Sequence, residues 1–331
     1  MTNEKERTDS FSTPCVSANT ASITGIVDYV SWYRDEPLLK FAQPGVAIHQ
    51  RPDIALTEFI DTNVKVVISE NKYCTECGKK TESSPCPDCA GEPPYTSCVM
   101  CPTIHCDYMN CPYPDYKQRS CSHTHVVYFV TTDRVKVGIT RESRARRRWA
   151  EQGASHAIPI ARAPNRKAAG IIETALSTKW SHRRHHRWYQ PMDDSVQRLV
   201  DDTLSAIDLI PKQLRPCFLW EDASEEVVRD AVVELPSVES SSLEGGLVPS
   251  DCMMNAGETR EGRVLGIRGR LIATDGFVIN LNTYSGHVIT LETNDPFFED
   301  ADLRVKVDSE RSSQDIDPDR EDVLISEEVT A

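Results

Sequence analysis

The distribution of cysteine constrains this chain more than any other feature. Nine of its 12 cysteines lie between Cys74 and Cys121, in a stretch with few apolar residues. Cys74 and Cys77 form one CxxC pair, and Cys86 and Cys89 form another after eight intervening residues. Each tight CxxC turn places two thiolates beside one metal, so two such pairs are typical of a tetrahedral zinc site. We therefore predict structural zinc here, which can contribute about 10 kcal/mol or more of folding free energy.

A second group of potential metal ligands follows the two CxxC pairs. It consists of Cys98, Cys101, Cys106, Cys111, Cys121, His123 and His125. We take Cys98, Cys106, Cys111 and Cys121 as a second zinc site, in which Cys101 or a histidine could replace one ligand. The spacing leaves an iron–sulfur cluster open, because such clusters use the same thiolate ligands. Closed four-thiolate sites are structural, so neither group is predicted to carry out chemistry.

The N-terminus and the hydropathy pattern bear on location. The first residues are polar and lack the apolar core of a signal peptide, and no apolar run is long enough to span a membrane. We expect a cytoplasmic protein without membrane contact, in which disulfides are not expected. Cys15, Cys217 and Cys252 are then ordinary thiols.

The rest of the chain predicts an α+β protein with several segments. Short β-branched or alternating runs such as GVAIHQ (45–50) and VKVVIS (64–69) predict strands before the Cys-rich stretch, and an alternating pattern predicts more near the C-terminus. The N- and C-terminal β regions are similar enough to share one sheet or barrel. Apolar spacing over residues 193–209 predicts an amphipathic helix. In chain order we expect a disordered N-terminus (1–20), an N-terminal β region (21–73), a zinc-binding Cys-rich insert (74–123), a small α/β core (124–210), a linker and irregular segment (211–260), a C-terminal β-meander (261–298) and an acidic disordered tail (299–331).

Charge is unevenly distributed along the sequence. The net charge of −14 argues against a general polyanion binder. Residues 134–190, however, hold 14 Lys and Arg against 3 Asp and Glu, whereas the tail from residue 299 onward holds 12 acidic residues against 4 basic ones. A basic middle in an acidic chain suggests local contact with phosphate. The alternative is an arginine-rich helix face that is simply solvated.

The basic region also carries a resemblance to a known superfamily. The runs VVYF (126–129), KVGIT (136–140) and GIIETAL (170–176), with an arginine-rich helix between the last two, resemble the core of the GIY-YIG nucleases. The resemblance implies a small α/β core of predicted strand, turn, strand, helix, link and helix. It also implies a tyrosine, a glycine, an arginine and a metal-binding glutamate, here Tyr128, Gly138, Arg148 and Glu173. Among the arginines of this helix, Arg148 fits the motif best, because Trp149 supplies the apolar residue that follows the arginine in the motif.

The sequence departs from the superfamily pattern at Lys136, which replaces the tyrosine of the second motif. A KVG version resembles a side branch of the superfamily, so the implied fold is kept, while the identity of the general base stays open. A longer resemblance covers roughly residues 22–293 and points to a prokaryotic Cys-rich family of unknown function. Its motifs here are CTECGK (74–79), HVVY (125–128), KVGITR (136–141), RWAEQGA (148–154), the block from Pro164 to Glu173, and LGIRG (265–269).

These residues suit phosphodiester hydrolysis. We expect Glu173 to bind Mg²⁺ or Mn²⁺, Arg148 to pair with phosphate, and Tyr128, helped by Lys136, to orient or deprotonate water. Arg141, Arg144 and Arg148 are predicted to share one helix face. The predicted nucleic-acid-binding residues are Arg141, Arg144, Arg166, Arg183, Arg184 and Arg187.

Other hypotheses remain open on the sequence alone. One is a non-catalytic zinc-containing protein that binds nucleic acid through the same basic groove. A weaker one is a zinc scaffold that binds a protein partner through its acidic tail. For Glu173, the simplest alternative to a metal is an internal ion pair with one of the arginines.

Overall fold

A computed structural model describes residues 21–43, 51, 53–103, 105–182, 194–244 and 252–293. Its strands are β1 (Ala21–Tyr33), β2 (Glu36–Ala42), β3 (Asp53–Ala55), β4 (Asn63–Lys72), β5 (His125–Thr131), β6 (Val135–Arg141), β7 (His156–Ala163), β8 (Val233–Glu234), β9 (Val238–Glu239), β10 (Thr259–Arg268), β11 (Leu271–Thr274), β12 (Val278–Asn280) and β13 (His287–Thr293). Its α-helices are α1 (Pro87–Ala90), α2 (Ser97–Met100), α3 (Pro114–Tyr116), α4 (Ala145–Glu151), α5 (Arg166–Leu176), α6 (Ser195–Ser205), α7 (Glu225–Asp230) and α8 (Ser241–Glu244).

Shorter helical turns complete the secondary structure. The 3₁₀ turns are Leu56–Phe59, Glu142–Arg144, Ala206–Leu209, Lys212–Cys217 and Leu281–Tyr284, and a π-helical turn spans Lys117–Cys121. Several predictions fall outside the described residues: the disordered N-terminus (1–20), the acidic tail (299–331), the arginines Arg183, Arg184 and Arg187, and a predicted strand at 45–50. Within the described part of the chain, no helix is both long enough and apolar enough to cross a membrane.

The larger of two antiparallel sheets joins the N- and C-terminal β segments. Its strand order is β12-β11-β10-β4-β13-β1-β2-β3, with β9 added beside β10. The expected C-terminal meander is therefore only partly correct. β10, β11 and β12 do follow one another, but β13 leaves them and inserts between β1 and β4. That insertion makes one continuous sheet from segments that the Cys-rich insert and the small core separate in sequence.

Hydrophobic periodicity explains how the large sheet buries one face. In β4 the side chains of Val64, Val66 and Ile68 are buried, and the residues between them are more exposed. Alternate residues of a strand point to opposite faces, so a period of two places these three in one core. The same core receives Trp32 of β1 and Ile267 of β10.

The smaller sheet has the strand order β6-β5-β7-β8. Every residue of β5 is buried, because helices cover both faces of this sheet. Val127 and Phe129 pack with α5 and α6 on one face. Tyr128 packs with Trp149 of α4 on the other face. A continuous apolar strand is what such double coverage requires.

Two predictions about the small core need correction. The segment expected to be a link between helices contains β7, which pairs with both β5 and β8. Arg141, Arg144 and Arg148 were predicted to share one helix face, and this prediction is wrong for Arg141. Arg141 is the last residue of β6, because pairing with His125 extends that strand to its end.

The amphipathic helix predicted at 193–209 corresponds to α6, which continues into the 3₁₀ turn Ala206–Leu209. Its Leu199 and Val200 are buried in the core of the small sheet. The segment 211–260, expected to be a linker and irregular, instead contains short strands and helices. It contributes β8 to the small sheet and β9 to the large one, and β10 begins inside it at Thr259.

The two sheets meet where α4 packs against β1. Gly153, just after α4, and Gly269, between β10 and β11, both have positive φ, +71° and +60°. A Cβ atom on Gly269 would lie 2.5 Å from the backbone nitrogen of Gly153, so only glycine fits. Trp32 Nε1 donates a hydrogen bond to the Gly269 carbonyl at 2.8 Å. We call this junction of α4, β1 and the β10–β11 turn the seam.

Candidate metal centre and arginine cluster

The first predicted zinc site is assembled as a compact cluster. The sulfur atoms of Cys74, Cys77, Cys86 and Cys89 all lie within 4.8 Å of one another. Cys77 and Cys86 have their Sγ atoms 3.7 Å apart. Tetrahedral zinc with bonds of about 2.3 Å separates its sulfur ligands by roughly 3.8 Å. The four sulfur atoms are therefore close enough together to bind a metal ion such as zinc.

The backbone around the cluster is shaped for thiolates. Gly78 has a φ of +74° and donates its amide to the Cys74 carbonyl at 2.8 Å, which closes the first CxxC turn. Burial alone would raise the pKa of Cys74, but amide donors from Cys86 and Cys77 hold the pKa below its ordinary value. Burial and the neighbouring sulfurs raise the pKa of Cys89 to about 12. Thiols that compete for one negative charge in this way are typical of a site that a divalent cation neutralises.

The second predicted group lies together but is less compact. Cys98 and Cys121 belong to one small apolar cluster with Val99 and Tyr116. Burial, together with the thiols of Cys106, Cys111 and Cys98, raises the pKa of Cys121 to about 11, against the lowering effect of Arg166. Across the described residues, the Cys74 group alone brings three or more ligand atoms within 4.8 Å. Zinc at this second group remains a prediction.

The Cys-rich insert packs on α5 of the small sheet. Arg166, at the start of α5, is 8% exposed and donates from Nη2 to the Val99 carbonyl at 3.0 Å. Lys167 donates to the Cys106 carbonyl at 2.7 Å. A Cβ atom at Gly170 would lie 2.8 Å from Pro102 Cγ, so the insert approaches the helix backbone closely. These contacts show Arg166 holding the insert in place, while its predicted role in nucleic-acid binding stays untested.

Tyr128 and Gly138 lie opposite one another in the β5–β6 pairing. Tyr128 is fully buried, and its hydroxyl accepts a hydrogen bond from Gln152 Nε2 at 2.6 Å. A Cβ atom at Gly138 would lie 2.6 Å from that hydroxyl oxygen. Glycine at 138 is therefore what makes room for the tyrosine ring on this face of the sheet.

The other predicted site residues surround this pair unevenly. Lys136 lies on β6, on the Tyr128 side of the sheet, and is buried. Arg141 donates from Nη1 to the Arg119 carbonyl of the Cys-rich insert. Glu173 is half-buried on α5, which packs along β6 on the opposite face from α4. The structure thus brings Tyr128, Lys136 and Gly138 to one face and places Glu173 on a helix of the other.

A buried carboxylate that was not among the predicted site residues lies at the seam. Glu151 is 1% exposed. Its Oε1 accepts from Arg147 Nε at 3.0 Å, and its Oε2 lies 3.6 Å from Arg148 Nη1. Burial alone would raise the pKa of Glu151, but Arg147, Arg144, Arg148 and Arg270 hold it below its ordinary value. Arg144 and Arg148 are each 9% exposed, so this cluster is largely inside the protein.

The sequence contained one usable signal for this cluster. Arg147 and Glu151 are four residues apart, which is the spacing of an ion pair along a helix. Nothing in the sequence indicated that Arg270, far along the chain, would join them. Arg270 therefore joins the arginines of α4 and Glu151 only through tertiary packing.

Fold and site define a class: an α+β protein with two antiparallel sheets and a four-cysteine cluster able to bind a metal such as zinc. The chain belongs to DUF2797, a family of proteins of unknown function, whose model matches residues 61–289. That span includes the cysteine cluster, the small sheet, and the α4 and β10–β11 parts of the seam. Comparison with curated proteins and with solved structures gave no match.

Proposed function

We propose that this protein is a zinc-containing phosphodiesterase that acts on nucleic acid with Mg²⁺ or Mn²⁺, in the manner of a GIY-YIG endonuclease. The observation that carries the proposal is the Tyr128–Gly138 pair beside the arginines of α4. Tyrosine, glycine, arginine and glutamate follow the chain on β5, β6, α4 and α5, which is the order that the resemblance implies. The zinc site is structural in this account and stabilises the first part of the Cys-rich insert.

The proposed roles follow from where each side chain lies. In this proposal Arg148 pairs with a phosphate through its guanidinium fork. In this proposal the Tyr128 hydroxyl, which accepts a hydrogen bond from Gln152 Nε2, orients a water or a phosphate oxygen. Lys136 lies on the same face of the sheet and supplies positive charge to the proposed site.

In this proposal Glu173 supplies the one carboxylate ligand of a divalent cation. Mg²⁺ is commonly held by one or two carboxylates while water and substrate phosphate supply its remaining ligands. A single half-buried carboxylate on α5 fits that pattern. When bound, the ion would stabilise negative charge developing on phosphate oxygens. β6 is the edge strand of the small sheet, so the proposed centre lies across that edge, with Glu173 on the α5 side and Tyr128 and Arg148 on the α4 side.

A second candidate function is a non-catalytic nucleic-acid-binding protein that uses the same basic surface. Two observations favour it: Lys136 replaces the motif tyrosine, and Tyr128 is fully buried. Both candidates require phosphate contacts, and both therefore predict affinity that falls steeply with salt as counterions are released. Only the phosphodiesterase also requires cleavage of the nucleic acid.

The Arg148→Ala variant tests the phosphate contact against a matched control on the same helix. Arg146 is exposed and pairs with Asp35, 2.8 Å away, so Arg146→Ala removes an equal charge outside the proposed centre. We expect Arg148→Ala to lower cleavage of labelled DNA or RNA by about 100-fold or more, as loss of a transition-state donor does. Arg146→Ala should change cleavage only a few-fold.

Cleavage and binding assays on single- and double-stranded DNA and RNA, with Mn²⁺ or Mg²⁺, distinguish three outcomes. Cleavage lost in Arg148→Ala alone supports the phosphodiesterase. Salt-sensitive binding without cleavage on every substrate replaces it with the binding protein. Equal cleavage by the two arginine variants contradicts the role given to Arg148.

A further inference from the structure

The second half of the Cys-rich insert, residues 97–121, has few apolar residues to fold it. Its helices α2 and α3 span four and three residues. The buried members of its apolar core are Val99, Tyr116 and Cys121, and Cys98 packs against them. So small a core rarely holds a segment in place, and proteins commonly add a metal or disulfides in such cases. The cysteines of this segment are free thiols, which favours a metal.

Four thiols of this segment are carried to that core. Cys111 Sγ donates to the Tyr113 carbonyl at 3.6 Å, and the Tyr113 ring packs against the core. Tyr108, two residues after Cys106, packs there as well. Four thiolates are the ligand set of a closed structural zinc site. The set here is Cys98, Cys106, Cys111 and Cys121.

The Tyr116 hydroxyl is an independent observation that favours a metal at this core. Tyr116 is 8% exposed, and its hydroxyl oxygen makes no hydrogen bond within the part of the chain that the structure describes. A buried hydroxyl without a partner is unfavourable, and buried tyrosines usually find one. A thiolate that binds a metal accepts a hydrogen bond from such a donor. Cys98 and Cys121, which pack with Tyr116, supply the nearest acceptors of this kind.

The same stretch of chain holds the start of α5. Arg166 Nη2 donates to the Val99 carbonyl at 3.0 Å, and Lys167 Nζ donates to the Cys106 carbonyl at 2.7 Å. Val99 follows the proposed ligand Cys98, and Cys106 is itself a proposed ligand. The two carbonyl groups meet consecutive residues of α5 only while the chain between these ligands keeps its shape. A metal that binds both ligands fixes that shape.

The middle of α5 is in contact with this stretch as well. A Cβ atom on Gly170 would lie 2.8 Å from Pro102 Cγ, so the insert lies directly on the helix backbone. Thr103 Oγ1 lies 3.4 Å from Thr174 Oγ1. Thr174 follows Glu173 in the sequence. The stretch that the metal fixes therefore covers α5 from its first turn to the neighbour of Glu173.

We propose that Cys98, Cys106, Cys111 and Cys121 bind a second zinc ion, and that this zinc centre fixes the position of α5. The four sulfur atoms lie less close together than those of the first site, so the ion draws them toward one centre. The docking of α5 stands apart from the proposed function. Its consequence for cleavage, through Glu173, is the one part that rests on it.

The test measures zinc and iron content by elemental analysis and amide hydrogen exchange by mass spectrometry, on the full chain after unbound metal is removed. Cys111→Ser removes a proposed ligand whose sulfur bonds within the insert. Cys101→Ser is the matched control, because it makes the same change in the same segment outside the proposed ligand set. Tyr116→Phe removes only the hydroxyl. Melting temperatures verify folding.

We expect two zinc ions per chain in the wild type and in Cys101→Ser, and one in Cys111→Ser. In Cys111→Ser the amides of residues 97–121 and of the first turns of α5 should exchange at least about 10-fold faster, because local opening governs exchange. The amides of β5 should be unchanged. Tyr116→Phe should keep both ions and bind the second one about 10- to 100-fold more weakly in competition with a chelator, with the first unaffected.

One zinc ion per chain in the wild type, or two in Cys111→Ser, would overturn the centre. Iron in place of the second zinc would overturn the zinc assignment, and zinc loss from Cys101→Ser would overturn the ligand set. Loss of the ion with unchanged exchange in α5 would overturn the positioning role. If Cys111→Ser does not fold, the zinc content of the wild type and the chelator competition of Tyr116→Phe decide the test.

Failure of the proposed function gives a different result. None of these measurements depends on cleavage, so two zinc ions and a protected α5 in a protein that cleaves no nucleic acid leave the centre in place. A wild type that cleaves nucleic acid with one zinc ion per chain removes the centre and leaves the reaction.

Discussion

A Cys74→Ser protein is expected to lose one zinc ion per chain and most of its stability. Cys74 is fully buried, and its sulfur accepts from the Cys86 amide at 3.3 Å, so serine would replace a central ligand. Structural zinc contributes about 10 kcal/mol or more in small zinc domains, and few apolar side chains in this insert could compensate. We expect the segment from Cys74 to Cys89 to lose its fixed conformation, including the turn that the Gly78 amide closes on the Cys74 carbonyl.

Zinc content by elemental analysis, together with the melting temperature, checks this expectation. Cys252→Ser is the matched control, because Cys252 is exposed and outside both cysteine groups. It should keep its zinc and melt within a few degrees of the wild type. Removal of zinc from the wild type by a chelator should reproduce the Cys74→Ser result. Equal zinc content in the two serine variants would contradict the assignment of the first site.

The second large effect is expected at Glu151. Glu151→Gln keeps the shape of the side chain but leaves four guanidinium groups without their shared carboxylate. Removing one partner of a buried ionic cluster typically destabilises a protein by about 3–5 kcal/mol. Glu142→Gln is the control, because Glu142 forms an exposed pair with Arg162. Exposed pairs contribute about 0–1 kcal/mol, so that variant should differ little from the wild type.

The pH dependence of the Glu151 effect has a definite sign. The arginines hold the folded-state pKa of Glu151 below its ordinary value of 4.5, despite burial. The carboxylate therefore stabilises the fold fully above that ordinary pKa, and the contribution disappears as pH falls through the lower folded-state pKa. The wild type should exceed Glu151→Gln in unfolding free energy at neutral pH, and the difference should shrink in acid. Zinc loss in acid affects both proteins, so it largely cancels in the comparison.

Denaturant unfolding at several pH values, with zinc present, measures the two Glu variants side by side. A difference between wild type and Glu151→Gln that is small at neutral pH would contradict the account of the seam. So would a difference that grows as the pH is lowered.

Sequence reasoning succeeded where the signal was local. The spacing of Cys74, Cys77, Cys86 and Cys89 was enough to predict the cluster, because two tight turns leave little choice of geometry. The apolar period of two in β4 likewise predicted a strand with one buried face. In both cases the information lies within a few consecutive residues.

Features created by contacts distant in sequence were missed. The predicted link contains β7, in which Pro159 weakens the local strand pattern, and pairing with β5 makes it a central strand. The position of β13 depends on partners in β1 and β4, which no local pattern encodes. Two other features also depend on residues distant in sequence. They are the contact between Gly153 and Gly269 and the approach of Arg270 to Glu151. The seam is therefore the part of the site that only the structure reveals.

The measurement that tests the central claim most directly is single-turnover cleavage by the wild type and by Glu173→Gln. Oligonucleotide binding is measured in parallel, and Mg²⁺ and Mn²⁺ are each titrated. Our account predicts metal-dependent cleavage by the wild type, loss of at least about 100-fold in Glu173→Gln, and unchanged zinc content and nearly unchanged binding in that variant. Cleavage by Glu173→Gln at the wild-type rate, or no cleavage by the wild type with either metal, would contradict it.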